Sequence, residues 1–133
     1  MRRPPFATGV GVIGVIAGSF PLAEAVAVLV SPRFAAWLLP QVRSILPVPL
    51  SVAVVLIVAI AAADLTLGVG VLTGRRWALY GMVLRSVVGV PIDYLNFTAG
   101  NPAGAIVGLA VNVFIVWALL RTDSRIWFRA ASG

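Results

Sequence analysis

Three of the four acidic residues, Glu24, Asp64 and Asp93, and one of the ten arginines, Arg85, lie inside stretches otherwise apolar enough to cross a bilayer. A charge at the centre of a membrane helix costs roughly 2.5 to 3.5 kcal/mol or more to insert, so such residues turn toward other protein or a wet cavity. Together with Asn112 they are the groups from which an ion-binding or substrate-binding site would be built. Two chemistries are open to them. Opposite charges at one depth neutralise each other as a buried pair, whereas two acids brought together share a proton or a cation.

Depth separates the two cases. Asp64 stands eight residues before Leu72, and Arg85 eight after Trp77. At 1.5 Å per residue, both lie about 12 Å from the same membrane face. The short Gly74-Arg75-Arg76 junction makes their helices neighbours, so an Asp64–Arg85 pair is expected. Packing is the favoured role over a polar pathway, because breaking a buried pair costs more than the pair itself contributes. Glu24, six residues before Val30, and Asp93, three before Asn96, form a second level toward the other face. There they would hold a proton or cation, unless Arg33 or Arg43 neutralises them or Glu24 extends to the interface. Pro21 and Pro91 precede these acids and free carbonyls in the preceding turn.

The elements that must position these side chains are membrane helices. The chain has 133 residues, 61% hydrophobic and 11% charged, with a mean hydropathy of +1.07. Soluble domains run at about 45–50% apolar and about 25% charged. An all-α fold follows: a single domain over 1–133, a polytopic transmembrane four-helix bundle. A span needs about 20 apolar residues, and four windows qualify, at 6–30, 50–72, 77–96 and 103–120. Between the first two, residues 32–46 carry Phe34, Trp37, Leu38, Val42, Ile45 and Leu46 at helical spacing, with Arg33, Gln41, Arg43 and Ser44 free to face water. This predicts a short interfacial helix starting at Ser31-Pro32 and broken at Pro40. Asn101 and Pro102 fit an N-cap and first helical residue for the fourth span, and the 121–133 tail suits a helix on the inner surface.

Orientation is read from arginine. A cytoplasmic N-terminus places Arg2, Arg3, Arg75, Arg76, Arg121, Arg125 and Arg129 inside and only Arg33 and Arg43 outside, the asymmetry that the positive-inside rule describes. Both termini are therefore expected in the cytoplasm, and the inner arginines are expected to meet anionic lipid head groups rather than nucleic acid. Trp37 and Tyr94 suit the outer aromatic belt, and Trp77, Tyr80, Trp117 and Trp127 the inner one. The basic start, apolar run and Ala23-Glu24-Ala25 imitate a secretory signal, but the run continues to Val30, longer than the usual apolar core of a signal.

Small residues mark the faces that pack. Gly81, Arg85, Gly89 and Asp93 recur every four residues in the third span, as do Gly104, Gly108 and Asn112 in the fourth. Gly14 and Gly18 repeat the spacing in the first, and Gly70 and Gly74 in the second. Such stripes let helices approach closely, and packing within the chain is the default. Gly9, Gly11 and Gly14 fit GxGxxG, yet without a βαβ setting they are no nucleotide site. The Asn96-Phe97-Thr98 sequon lies too close to the membrane to be modified and is read as chance.

Absent residue types exclude chemistry. With no Cys, His or Lys, the chain lacks a thiolate, the commonest neutral-pH base and metal ligand, and a Schiff-base amine. No metal, no cofactor and no enzymatic activity are expected.

The Gly-Arg-Arg-Trp-Ala junction at Gly74 to Ala78, Asp64 in the preceding span, Pro91 and Asp93 late in the third and Asn112 in the last resemble a family of small uncharacterised four-helix prokaryotic integral membrane proteins, domains of unknown function. The resemblance covers 62–120 and implies a prokaryotic cell-membrane bundle with no assigned activity. The expected role is a non-enzymatic accessory or structural subunit, or a homo-oligomer. A small transporter or channel lined by the intramembrane carboxylates is the alternative, and lipid or quinone binding a further one. Size, span count and a first-span Glu are similar to small multidrug transporters, but the arginine asymmetry and the lack of their other motifs count against that reading.

Overall fold

The computed structural model describes residues 2–45 and 47–131. All regular structure among them is helical: α1 (Pro5–Val30), α2 (Pro32–Ile45), α3 (Leu50–Leu72), α4 (Arg76–Thr98), α5 (Pro102–Leu120) and α6 (Thr122–Ala131). Helices α1, α3, α4 and α5 are long and apolar enough to cross a membrane. The protein is an all-α transmembrane four-helix bundle, and its spans begin and end within two residues of the hydropathy windows.

Local chemistry fixes the ends. Pro5 opens α1, where a missing N–H costs nothing. Asn101 caps α5 by accepting from the Gly104 N–H at 3.1 Å, with Pro102 next in line. Ser31 Oγ accepts from the Phe34 N–H at 3.3 Å and starts α2. The turn from α3 to α4 needs a left-handed residue, and Gly74 supplies it at φ 73°.

One boundary departs from expectation. Helix α2 passes through Pro40 unbroken. Proline removes its own bond to the Ala36 carbonyl, but Ala36 is exposed, so that carbonyl can be solvated instead. Arg33 and Arg43 are exposed on this helix. The side chains of Gln41, Val42, Ser44 and Ile45, and all of Leu46, lie outside the described residues.

The bundle is assembled from two antiparallel pairs, α1 with α3 and α4 with α5, which meet through α3 against α4 and, less extensively, α5 against α1. Helices α1 and α3 cross on small residues. A Cβ added to Gly68 would stand 2.6 Å from the Val15 nitrogen and 2.9 Å from the Gly11 oxygen, and one on Gly18 would stand 2.6 Å from the Ala61 oxygen. These neighbours are backbone atoms, so the two helices approach as closely as glycine allows.

The shared core gathers at one end. Ala7, Val10, Val71, Leu79, Met82, Ile115, Leu119 and Phe128 form its buried cluster. The first and last described segments meet at that end: the Arg3 guanidinium stands 5.7 Å from the Trp127 ring centre, Phe6 packs edge-on against Trp117 at 5.2 Å, and Arg121 covers Phe6 at 4.7 Å. Helix α6 closes it by burying Ser124, Trp127 and Phe128, with Ser124 Oγ donating to the Ala118 carbonyl at 2.8 Å. Toward the opposite, distal end, burial retreats to the seam inside each pair, such as Ala25 with Ala53 on one and Ala105 on the other.

Candidate functional site

Four of the polar span residues, Asp64, Arg85, Asp93 and Asn112, line one cavity as two separate ties, and Glu24 lies apart from them. The Asp64 side chain on α3 is 8% exposed and its carboxylate receives two bonds from Arg85 on α4, Nε to Oδ1 at 3.0 Å and Nη2 to Oδ2 at 3.2 Å. This bidentate geometry matches the planar fork of guanidinium to a carboxylate. The Arg85 side chain remains 35% exposed.

Asp93, two turns further along α4, is held by a different helix. Asn112 Nδ2 on α5 donates to Asp93 Oδ2 at 2.8 Å. Glycines make room for both partners: Gly89 lies under the Asn112 amide and Gly108 under the Asp93 carboxylate, where any Cβ would collide with the polar side chain opposite. The stripe of α4 is therefore shared between neighbours, with Gly81 against Leu67 and Arg85 against Asp64 on the α3 side, and Gly89 and Asp93 on the α5 side. Gly18 faces α3, Gly14 sits against both Met82 of α4 and the α3 backbone at Gly68, and Gly104 meets its own cap residue, Asn101.

These ties border a cavity of about 210 Å³ between the two pairs, with Asp64, Arg85, Ser86, Asp93 and Asn112 on its wall and Ile13, Met82 and Ile115 as apolar lining. Liquid water occupies about 30 Å³ per molecule, so the space admits several. Ser86 is 1% exposed, and its Oγ has no hydrogen-bond partner among the described residues. A buried hydroxyl of this kind is ordinarily satisfied by water or a ligand. Sequence reasoning missed Ser86; its position three residues before Gly89 and seven before Asp93 places it on the same helical face.

Glu24 is elsewhere. It is exposed on α1 and borders a small gap lined by apolar side chains of α1, α2 and α3, among them Val28, Leu38, Leu50 and Ile57. No hydrogen bond or ion pair joins it to another described residue, and it shares no cavity with Asp93. The expected Glu24–Asp93 level does not form, because α1 packs on α3 and leaves α4 to pair with α5.

Residues 6–122 match the family model described as Predicted membrane protein (DUF2127). The chain belongs to this family. No curated protein and no solved structure matches it. The DUF2127 match takes in all four spans, including the first half of the chain, where the sequence alone offered no resemblance, and leaves most of α6 beyond it. Within its spans this DUF2127 protein presents two interhelical polar ties beside a cavity large enough for several waters, and Glu24 exposed on α1. Among the described residues no three His, Cys, Asp or Glu side chains come together as metal ligands.

Proposed function

We propose that the protein is a non-enzymatic subunit of a membrane assembly, either a homo-oligomer or an accessory chain beside a fixed partner. Glu24 carries this reading. It sits in a membrane span, exposed and joined to no described residue, six residues short of the end of α1. A carboxylate in that position is stabilised by a neighbouring chain that supplies a hydrogen-bond donor or a cation. The two remaining span carboxylates, Asp64 and Asp93, are tied to neighbouring helices, which suits a scaffold better than a reaction centre.

The cavity favours a second reading, a small transporter with Asp93 and the Asp64–Arg85 pair along its path. Against a continuous path, the terminal end below the cavity is closed by the core, where Val10, Val71 and Leu119 have no exposure. Native mass spectrometry of the protein released from its own membrane separates these. A subunit emerges with a second copy or one partner at fixed ratio; a protein emerging only as a monomer contradicts the proposal.

A further inference from the structure

At the terminal end, Arg76 on α4 and Arg125 and Arg129 on α6 border one pocket of about 220 Å³, whose floor includes Leu79, Tyr80 and Leu120. No acidic residue lines it. The one acid of α6, Asp123, is engaged with Arg121, Nη2 to Oδ2 at 3.4 Å. Arg76 is held in place by its own bond, Nη2 donating to the Arg129 carbonyl at 2.9 Å, and no ion pair neutralises Arg125 or Arg129 among the described residues. Three guanidinium groups around one pocket repel each other unless an anion joins them.

We propose that this pocket binds the phosphate of an anionic phospholipid. Guanidinium forks match phosphate oxygens bidentately. The apolar floor is formed by residues at the ends of spans α4 and α5, the level at which head groups give way to acyl chains. Helix α6 thereby acts as a clamp: it buries Trp127 and Phe128 in the bundle and turns Arg125 and Arg129 toward the head group. The site lies outside the two polar ties and does not depend on the subunit reading.

The test measures the melting temperature of the delipidated protein in detergent during titration with phosphatidylglycerol, phosphatidylcholine or inorganic phosphate. Phosphatidylglycerol is expected to raise Tm by several degrees and phosphatidylcholine to leave it nearly unchanged. The double change Arg125→Gln with Arg129→Gln should reduce the shift several-fold, and Arg75→Gln, outside the pocket, should not. If the double variant fails to fold, Arg125→Lys and Arg129→Lys keep the charge and should weaken the shift through loss of the fork. Stabilisation by phosphatidylglycerol alone assigns the lipid as source, and equal stabilisation by inorganic phosphate shows a phosphate site open to soluble anions. Equal shifts with both lipids, or a shift that survives in the arginine variants, would overturn the proposal.

Discussion

Asn112 Nδ2 reaches Asp93 Oδ2 at 2.8 Å although the two residues lie at different distances from the ends of their helices, five from Thr98 and ten from Pro102. Counted along the axes, the mismatch is about 7.5 Å. Side chains on a helix lean toward its N-terminus. On antiparallel α4 and α5 that lean carries Asp93 and Asn112 toward each other, and the absence of a Cβ on Gly89 and Gly108 lets them pass between the helices.

The tie is therefore a joint product of four residues. Asn112→Ala should cost about 0.5–1.5 kcal/mol, in line with interhelical hydrogen bonds in membranes. Gly89→Ala should cost a similar amount by displacing the amide, and the double variant should lose less than the sum. Reversible unfolding in mixed micelles gives the three values; strict additivity would show that Gly89 and Asn112 act independently.

Asp64 and Arg85 should behave as a pair. Asp64→Asn and Arg85→Gln are each expected to destabilise the bundle by about 2 kcal/mol, below the value for fully buried pairs because Arg85 is about one-third exposed. Combining them should recover part of the loss, read in the same unfolding assay.

Close approach of α1 and α3 gives a contrast within one chemistry. Gly68→Ala sets a Cβ against backbone atoms of α1 and should cost about 1–3 kcal/mol, whereas Gly9→Ala, inside α1, has nothing within 4 Å and should be neutral or stabilise by up to about 1 kcal/mol. Thermal melts of the two variants check the difference.

What was legible in the sequence follows from what hydropathy measures. Spans, turns and caps were legible because each is set by local composition, and the Asp64–Arg85 contact because a short turn converts residue counts into common depth. Rotation about the helix axis was not legible. It decides that Gly68, rather than Gly70 or Gly74, meets α1; Gly70 faces Ala78 and Trp77, and Gly74 sits in the turn against Trp127. Helix pairing was not legible either: it separates Glu24 from Asp93, since lying toward the same face says nothing about which helices are neighbours.

Membrane orientation is open to a direct check, because the chain has no cysteine of its own. With both termini cytoplasmic, as the arginine distribution favours, Arg33→Cys should react with an impermeant maleimide applied to intact cells, and Ala130→Cys only after permeabilisation.

Coverage of Glu24 is the central claim, and site-directed photocrosslinking in the native membrane tests it most directly. A photoactivatable maleimide on Phe20→Cys, one turn from Glu24, should yield an adduct of a single defined mass, either a second copy or one partner. Glu24→Gln should lower its yield several-fold, and a label on Leu84→Cys, which is 65% exposed on α4, should not give the same adduct. Labelled monomer alone, or equal adducts from both positions irrespective of Glu24, would contradict a subunit joined through this face of α1.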